Sequence, residues 1–257
     1  MSLRYVAIGD STVEGIHDPG PGGAHVGWAD RLAQHLAVVH PDLTYANLAV
    51  RGQTAHEVRT TQLDPALNLR PDIAVVVAGV NDVLRPRFHP RALRRDLLAM
   101  HTALHEAGAR VLTFTMPDMA RVAPLAVVLR GRLRALNDIT HELGDQLGTT
   151  VVDLAAEPVA SDPAMWHVDR LHANSEGHRR IAAALAEGLG VNAGEWRDFP
   201  QTAQPGQRRS PQEMVSLIAR ETVWARGHVL PWVWRHVRGR EPTAERVCKR
   251  PDLLPLK

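Results

Sequence analysis

The run Asp72-Ile73-Ala74-Val75-Val76-Val77-Ala78 constrains the fold of this chain more than any other stretch. From Ile73 onward it is apolar without interruption and rich in β-branched side chains. A strand with one wet face alternates apolar and polar residues, so an unbroken apolar run must be covered on both sides. Such strands belong to parallel sheets sandwiched between helices. Four more short apolar runs are candidates for the same sheet: residues 3–9, 44–50, 110–115 and 151–154. The segments between them have helical spacing. Trp28, Leu32, Leu36 and Val39 share one face, and a helix is expected over about residues 55–63. Pro90 opens a third, with Leu93, Leu97, Met100 and Leu104 on one side. Leu129, Leu133, Leu136, Thr140, Leu143 and Leu147 mark a long fourth, and a last helix falls at roughly 174–189. Strands alternating with helices predict an α/β fold built on a parallel sheet.

In such a sheet, chemistry collects in the loops beyond the carboxyl ends of the strands. Four of those loops carry reactive or hydrogen-bonding residues. The first strand stops at Gly9 and releases Asp10 and Ser11 into a turn. The second leads to Arg51-Gly52, the third to Gly79-Val80-Asn81-Asp82, and a late loop carries Asp169-Arg170-Leu171-His172. Acyl transfer by serine needs a nucleophile, a base, a group that orients the base, and oxyanion donors. Ser11 is the candidate nucleophile, and its own N–H a candidate donor. Gly52 lets a substrate approach the backbone N–H closely, and Asn81 offers a side-chain amide. His172 is the candidate base, with Asp169 three residues earlier placed to hold its other ring nitrogen. Each residue also has an ordinary reading: a helix cap for Asp10-Ser11 and for Asn81-Asp82, a turn for Gly52, loop surface for Asp169 and His172. Together those readings require four independent coincidences at strand ends.

These four blocks, in this order and spacing, resemble the SGNH (GDSL-type) hydrolases over about residues 3–189. Thr12 stands where the family's name has leucine. The resemblance implies a flavodoxin-like three-layer α/β/α sandwich with a central five-stranded parallel sheet. It also implies serine esterase or lipase chemistry that needs no metal or cofactor. By the same resemblance Ser11 is nucleophile and oxyanion donor, Gly52 and Asn81 complete the oxyanion hole, Asp169 orients and His172 is the base. The apolar residues 117–129 are the expected wall of an acyl pocket, with core packing as the alternative.

Two rival functions are open to such a fold. One is a non-catalytic nucleotide- or flavin-binding module with residues 9–15 around a phosphate, although the spaced glycines of a dinucleotide loop and a Gly-Lys-Ser/Thr are missing. The other is a metallophosphoesterase using Asp10, Asn81 and His172, for which the early strands supply no further ligands in suitable spacing.

Composition narrows the partners. The formal net charge of +2 argues against nucleic-acid binding. The one cysteine, Cys248, excludes an internal disulfide framework. No stretch approaches the ~18 uninterrupted apolar residues of a membrane span. No basic region followed by an apolar run precedes the first strand, so a cytoplasmic location is expected. The expected substrate is a small-molecule, lipid or glycan ester.

Charge divides the chain unevenly. Residues 1–190 carry 18 Lys/Arg against 21 Asp/Glu, a net of −3, whereas residues 191–257 carry 12 against 7, a net of +5. The second stretch also holds Trp196, Trp224, Trp232 and Trp234. The expected organisation is a catalytic domain over 1–190 and a basic, mainly helical extension over 191–257. Residues 200–210 read as a linker, and Ser210-Pro211-Gln212-Glu213 as a capping box before an amphipathic helix. Pro231-Trp232-Val233-Trp234 with Arg235, Arg238 and Arg240 suits a membrane surface. The alternative for the tryptophans is packing on the catalytic core or on a second subunit.

Overall fold

The computed structural model of the chain describes residues 2–198 and 247–256. Five parallel strands form its centre: β1 (Arg4–Gly9), β2 (Thr44–Asn47), β3 (Ile73–Val77), β4 (Arg110–Phe114) and β5 (Thr150–Val152). Their spatial order is β5-β4-β3-β1-β2, the flavodoxin-like order. It reverses direction around β1 and β3, the place where α/β sheets bind ligands.

Alternation along the strands builds two cores. Tyr5, Ala7, Val75, Val77 and Leu112 face one side, where helices α2 (Gly27–Val39) and α7 (Ser175–Gly188) cover them with Trp28, Leu32, Leu36 and Leu185. Val6, Ile8, Ala74, Val76 and Val111 face the other side. There α3 (Ala55–Asn68), α5 (Pro90–Glu106) and α6 (Arg130–Leu147) supply Val58, Leu97, Met100, Leu104 and Leu143. All five β3 residues are buried, as a strand covered on both faces requires. Two short helices, α1 (Ser11–Glu14) and α4 (Val80–Leu84), follow β1 and β3 directly. Among the described residues no helix is long and apolar enough to cross a membrane.

The sheet has a sixth strand that the sequence pattern did not supply. β6 (Arg250–Pro255) pairs antiparallel with β2 and becomes the edge of the sheet. Pro251 and Pro255 lack the N–H of a ladder donor, which demotes such a run in a sequence reading yet suits an edge strand. Lys249 and Arg250 fasten it: Lys249 Nζ donates to Val26 O at 2.6 Å and Arg250 Nε to Tyr45 O at 2.7 Å.

The composition shift near residue 190 therefore does not end the α/β core. On its far side Trp196 is buried and packs into the α2/α7 core, and β6 joins the sheet. The proposed capping box at residues 210–213, the amphipathic helix after it, and the tryptophan–arginine patch at 231–240 lie outside the described residues.

Candidate active site

The turn that carries Ser11 depends on glycine. Gly9 ends β1 at φ +156°, and a Cβ there would lie 2.2 Å from Val77 O and 2.4 Å from Val13 Cγ2. Only glycine lets the chain leave the strand so close to β3. Asp10 then caps α1, its Oδ1 accepting from Thr12 N at 3.0 Å and Thr12 Oγ1 at 2.9 Å. The cap holds Ser11 as the first residue of α1.

The late loop is folded by its aspartate. Asp169 Oδ1 accepts from Leu171 N at 3.0 Å and His172 N at 3.1 Å, closing a tight turn through Arg170, whose φ of +57° is left-handed. The turn swings the His172 ring back onto the other carboxylate oxygen. His172 Nδ1 lies 2.8 Å from Asp169 Oδ2, and His172 Nε2 lies 2.9 Å from Ser11 Oγ. An ionised carboxylate can only accept, so Nδ1 carries the proton and Nε2 of the neutral ring is left to accept from the serine hydroxyl. Its hydrogen bonds, from His172 above all, hold the Asp169 carboxyl well below its ordinary value against the opposing effect of burial. Ser11 and the Asp169–His172 pair, far from it in sequence, thus form one hydrogen-bonded row.

A second, buried network sits beneath the serine. Gln62 of α3 clamps the Gly9 backbone, Oε1 accepting from Gly9 N at 2.9 Å and Nε2 donating to Gly9 O at 2.8 Å. Gln62 Nε2 also donates to Gln53 Oε1 at 2.7 Å. Asn81 Nδ2 donates to Gln53 O at 2.9 Å and to Asp10 Oδ2 at 3.1 Å. The predicted Asn81 is therefore tied both to Asp10, the residue before Ser11, and to Gln53, the residue after Gly52. Gly52 has φ +83°, a conformation glycine adopts freely. The network lies in near-dry surroundings, and burial lifts the Asp10 carboxyl to about 6 despite its three donors.

Sequence reasoning missed His17. It takes up a left-handed φ of +67° and places Nε2 3.0 Å from Asp169 Oδ2, the atom that also holds His172. Its ring stacks on His167 with centroids 3.7 Å apart. Burial lowers the His17 pKa, with Asp169 opposing. No pattern in the loop marks this role; only its closeness to Ser11 in sequence hints at it. His17, Asp169 and His172 also form a group with ligand atoms close enough for one metal ion. His178, by contrast, is a structural residue. Its Nδ1 accepts from Trp28 N at 3.2 Å and its Nε2 donates to Ile16 O at 3.2 Å, and burial lowers its pKa to about 4.

An apolar cavity of about 80 Å³ opens on the row, lined by both Ser11 and His172. Of the expected acyl wall, only Pro117 and Met119 reach it, whereas Leu125, Val127 and Val128 are solvent-exposed. The segment coils into short 3-10 turns after β4, which carry its later side chains outward. Residues after β5 and on α7 supply most of the wall instead.

A strand-end serine bonded to an imidazole, itself bonded to a carboxylate, on a flavodoxin-like sheet describes a class of hydrolase. Residues 7–180 match the GDSL-like Lipase/Acylhydrolase family, and the chain belongs to it. It is accordingly an ester hydrolase. No curated protein matches it in sequence. Among solved structures it is similar to LAE5, an alpha/beta hydrolase enzyme from the metagenome of Lake Arreo, Spain. That match has 21% identity and a TM-score of 0.62, and covers 74% of this chain and 97% of LAE5. It is also similar to a catalytic mutant of Axe2, an acetylxylan esterase from Geobacillus stearothermophilus, with 16% identity, a TM-score of 0.63 and coverage of 78% and 99%. TesA matches at 22% identity and a TM-score of 0.60, over 73% of this chain and 98% of its own.

Proposed function

We propose that the chain hydrolyses carboxylic esters through an acyl-enzyme on Ser11, without a metal. His172 Nε2 takes the hydroxyl proton as Ser11 Oγ attacks the ester carbonyl, and returns it to the departing alcohol oxygen as the tetrahedral intermediate collapses. Water then attacks the acyl-serine with the same base, releasing the acid and restoring the hydroxyl. Asp169 fixes the imidazole tautomer and stabilises the imidazolium. The Ser11 and Gly52 N–H groups and the Asn81 amide are the proposed oxyanion donors. Asn81 serves by sharing one of the amide hydrogens that now face Asp10 and Gln53.

The observation that carries this reading is the continuous path from Ser11 Oγ through His172 to Asp169, with bonds of 2.9 and 2.8 Å. A nucleotide- or flavin-binding module has no use for it. In the metallophosphoesterase alternative Asp10 would face a metal, whereas its oxygens are turned to Thr12 and Asn81. The test is hydrolysis of nitrophenyl esters by wild type, by wild type in EDTA and by Ser11→Ala. The reading expects EDTA to leave the rate unchanged and Ser11→Ala to abolish it. Loss of activity in EDTA, restored by added metal, would overturn metal independence.

A further inference from the structure

We propose that the apolar cavity at Ser11 and His172 is a pocket for straight, medium-length acyl chains, hexanoyl to octanoyl, and that Trp196 is the wall that limits their length. This rests on the serine esterase reading and deepens it.

The wall chemistry selects a hydrocarbon. Phe114, Met116, Leu154, Val159, Met165 and Ile181 line the cavity beyond the serine. Apart from Trp28, the polar side chains on the same wall are already engaged. Both ring nitrogens of His178 are bonded, and Arg180 is held by Glu176 and by the Trp196 and Asp198 carbonyls. Trp28, whose buried indole N–H has no acceptor among the described residues, meets Phe114 edge to face at 5.6 Å. An acyl chain asks for no hydrogen bonds, whereas a sugar in this space would leave its hydroxyls unpaired.

The size selects a length. A volume of about 80 Å³ corresponds to roughly five to eight waters, and so to a chain of a similar number of carbons. Along α7 the wall runs from Gly177 to Ile181, one helical turn or about 6 Å. Trp196 adds its ring to this wall. It is 3% exposed, its Nε1 donates to Glu187 Oε2 at 2.7 Å, and Arg197 sits 4.0 Å over the ring centroid. These contacts fix the indole in place. Trp196 also lies beyond residues 7–180, the part that matches the family. The length limit is thus a property of this chain's own C-terminal segment.

Each methylene that enters an apolar site raises kcat/KM about four-fold. Octanoate, six methylenes longer, should therefore exceed acetate by about 10³–10⁴-fold, the gain stopping where the pocket ends.

The test is a nitrophenyl ester series from acetate to palmitate with the full-length protein. Wild type should peak at hexanoate to octanoate. Trp196→Ala should move the peak toward decanoate and beyond, and Ile181→Phe should move it toward butanoate. If Trp196→Ala fails to fold, Ile181→Phe decides. A wild type that prefers acetate, or a peak that Ile181→Phe does not move, overturns the pocket while leaving the serine esterase reading intact. Turnover of none of the esters, or turnover that survives in Ser11→Ala, overturns that reading and the pocket with it.

Discussion

Two carboxylates flank Ser11, and the protein treats them in opposite ways. Asp10 precedes Ser11 in sequence, is 1% exposed, and has its carboxyl pushed up to about 6 by burial. Asp169 reaches Ser11 only through His172 and is held well below its ordinary value. Both accept three or more hydrogen bonds, so the number of donors does not separate them. What differs is that Asp169 has three imidazoles against it, His172, His17 and His167, while every donor to Asp10 is neutral. Low polarity raises a carboxyl whose partners carry no charge, and the same site can hold a second one ionised beside a group that will become cationic. Environments that push two titratable groups apart assign their roles. Asp169 is suited to stabilising an imidazolium, and Asp10 to building the turn and holding Asn81.

The largest effect should come from breaking the Asp169 side of this contrast at its centre. His172→Ala should cost about as much as Ser11→Ala, a fall of about 10⁴–10⁶-fold in kcat, since members of such a unit do not act additively. Retention of a tenth of the activity would remove His172 from the mechanism.

Asp169→Asn keeps the size and removes the charge. It should lower kcat by about 10²–10⁴-fold, because an amide favours the wrong tautomer. The rise of kcat/KM with pH should also move to lower pH, since the imidazolium loses its counter-charge. A pH profile that matches wild type would show that the carboxylate does not act through His172.

Asn81→Ala probes the Asp10 side. A loss of about 10²–10³-fold in kcat with little change in KM is expected if the amide serves the transition state. A change in KM alone would mean that the amide binds the substrate's ground state.

The smallest effect sharpens the comparison through stability. Asp10 has a raised carboxyl, so burying its charge costs nothing below its ordinary 3.8 and up to about 3 kcal/mol once pH passes about 6. Asp169 has a depressed one, so its contribution is present above 3.8 and lost as pH falls below it. In urea unfolding, Asp10→Ser should gain on wild type between pH 4 and pH 8, whereas Asp169→Asn should fall behind it as pH rises from 3 to 5. Parallel slopes would break the contrast.

The parts of this molecule that could be read from the sequence are those where a local pattern has a single packing solution. The unbroken run at β3 can be buried only between two layers, and the loops after β1, β3 and β5 carry residue types that place themselves. Ser11, Asp169 and His172 come together as the blocks implied. The remainder depends on distant partners. β6 contains two prolines and becomes a strand because β2 offers it an edge. Trp196 reads as part of a basic extension, and only the fold shows it against the α7 core. His17 gains its place on Asp169 from a left-handed turn that its neighbours do not encode in any recognisable pattern. Residues 117–129 looked like a pocket wall because they are apolar, but composition cannot say which way a 3-10 turn points its side chains.

The proposed mechanism requires Ser11 Oγ to be the atom that accepts the acyl group. The direct measurement is peptide mapping of the full-length protein after reaction with a fluorophosphonate. A single adduct on the peptide that contains Ser11, absent from Ser11→Ala and strongly slowed in His172→Ala, is the predicted result. An adduct on any other residue, or labelling that persists in Ser11→Ala, would contradict it.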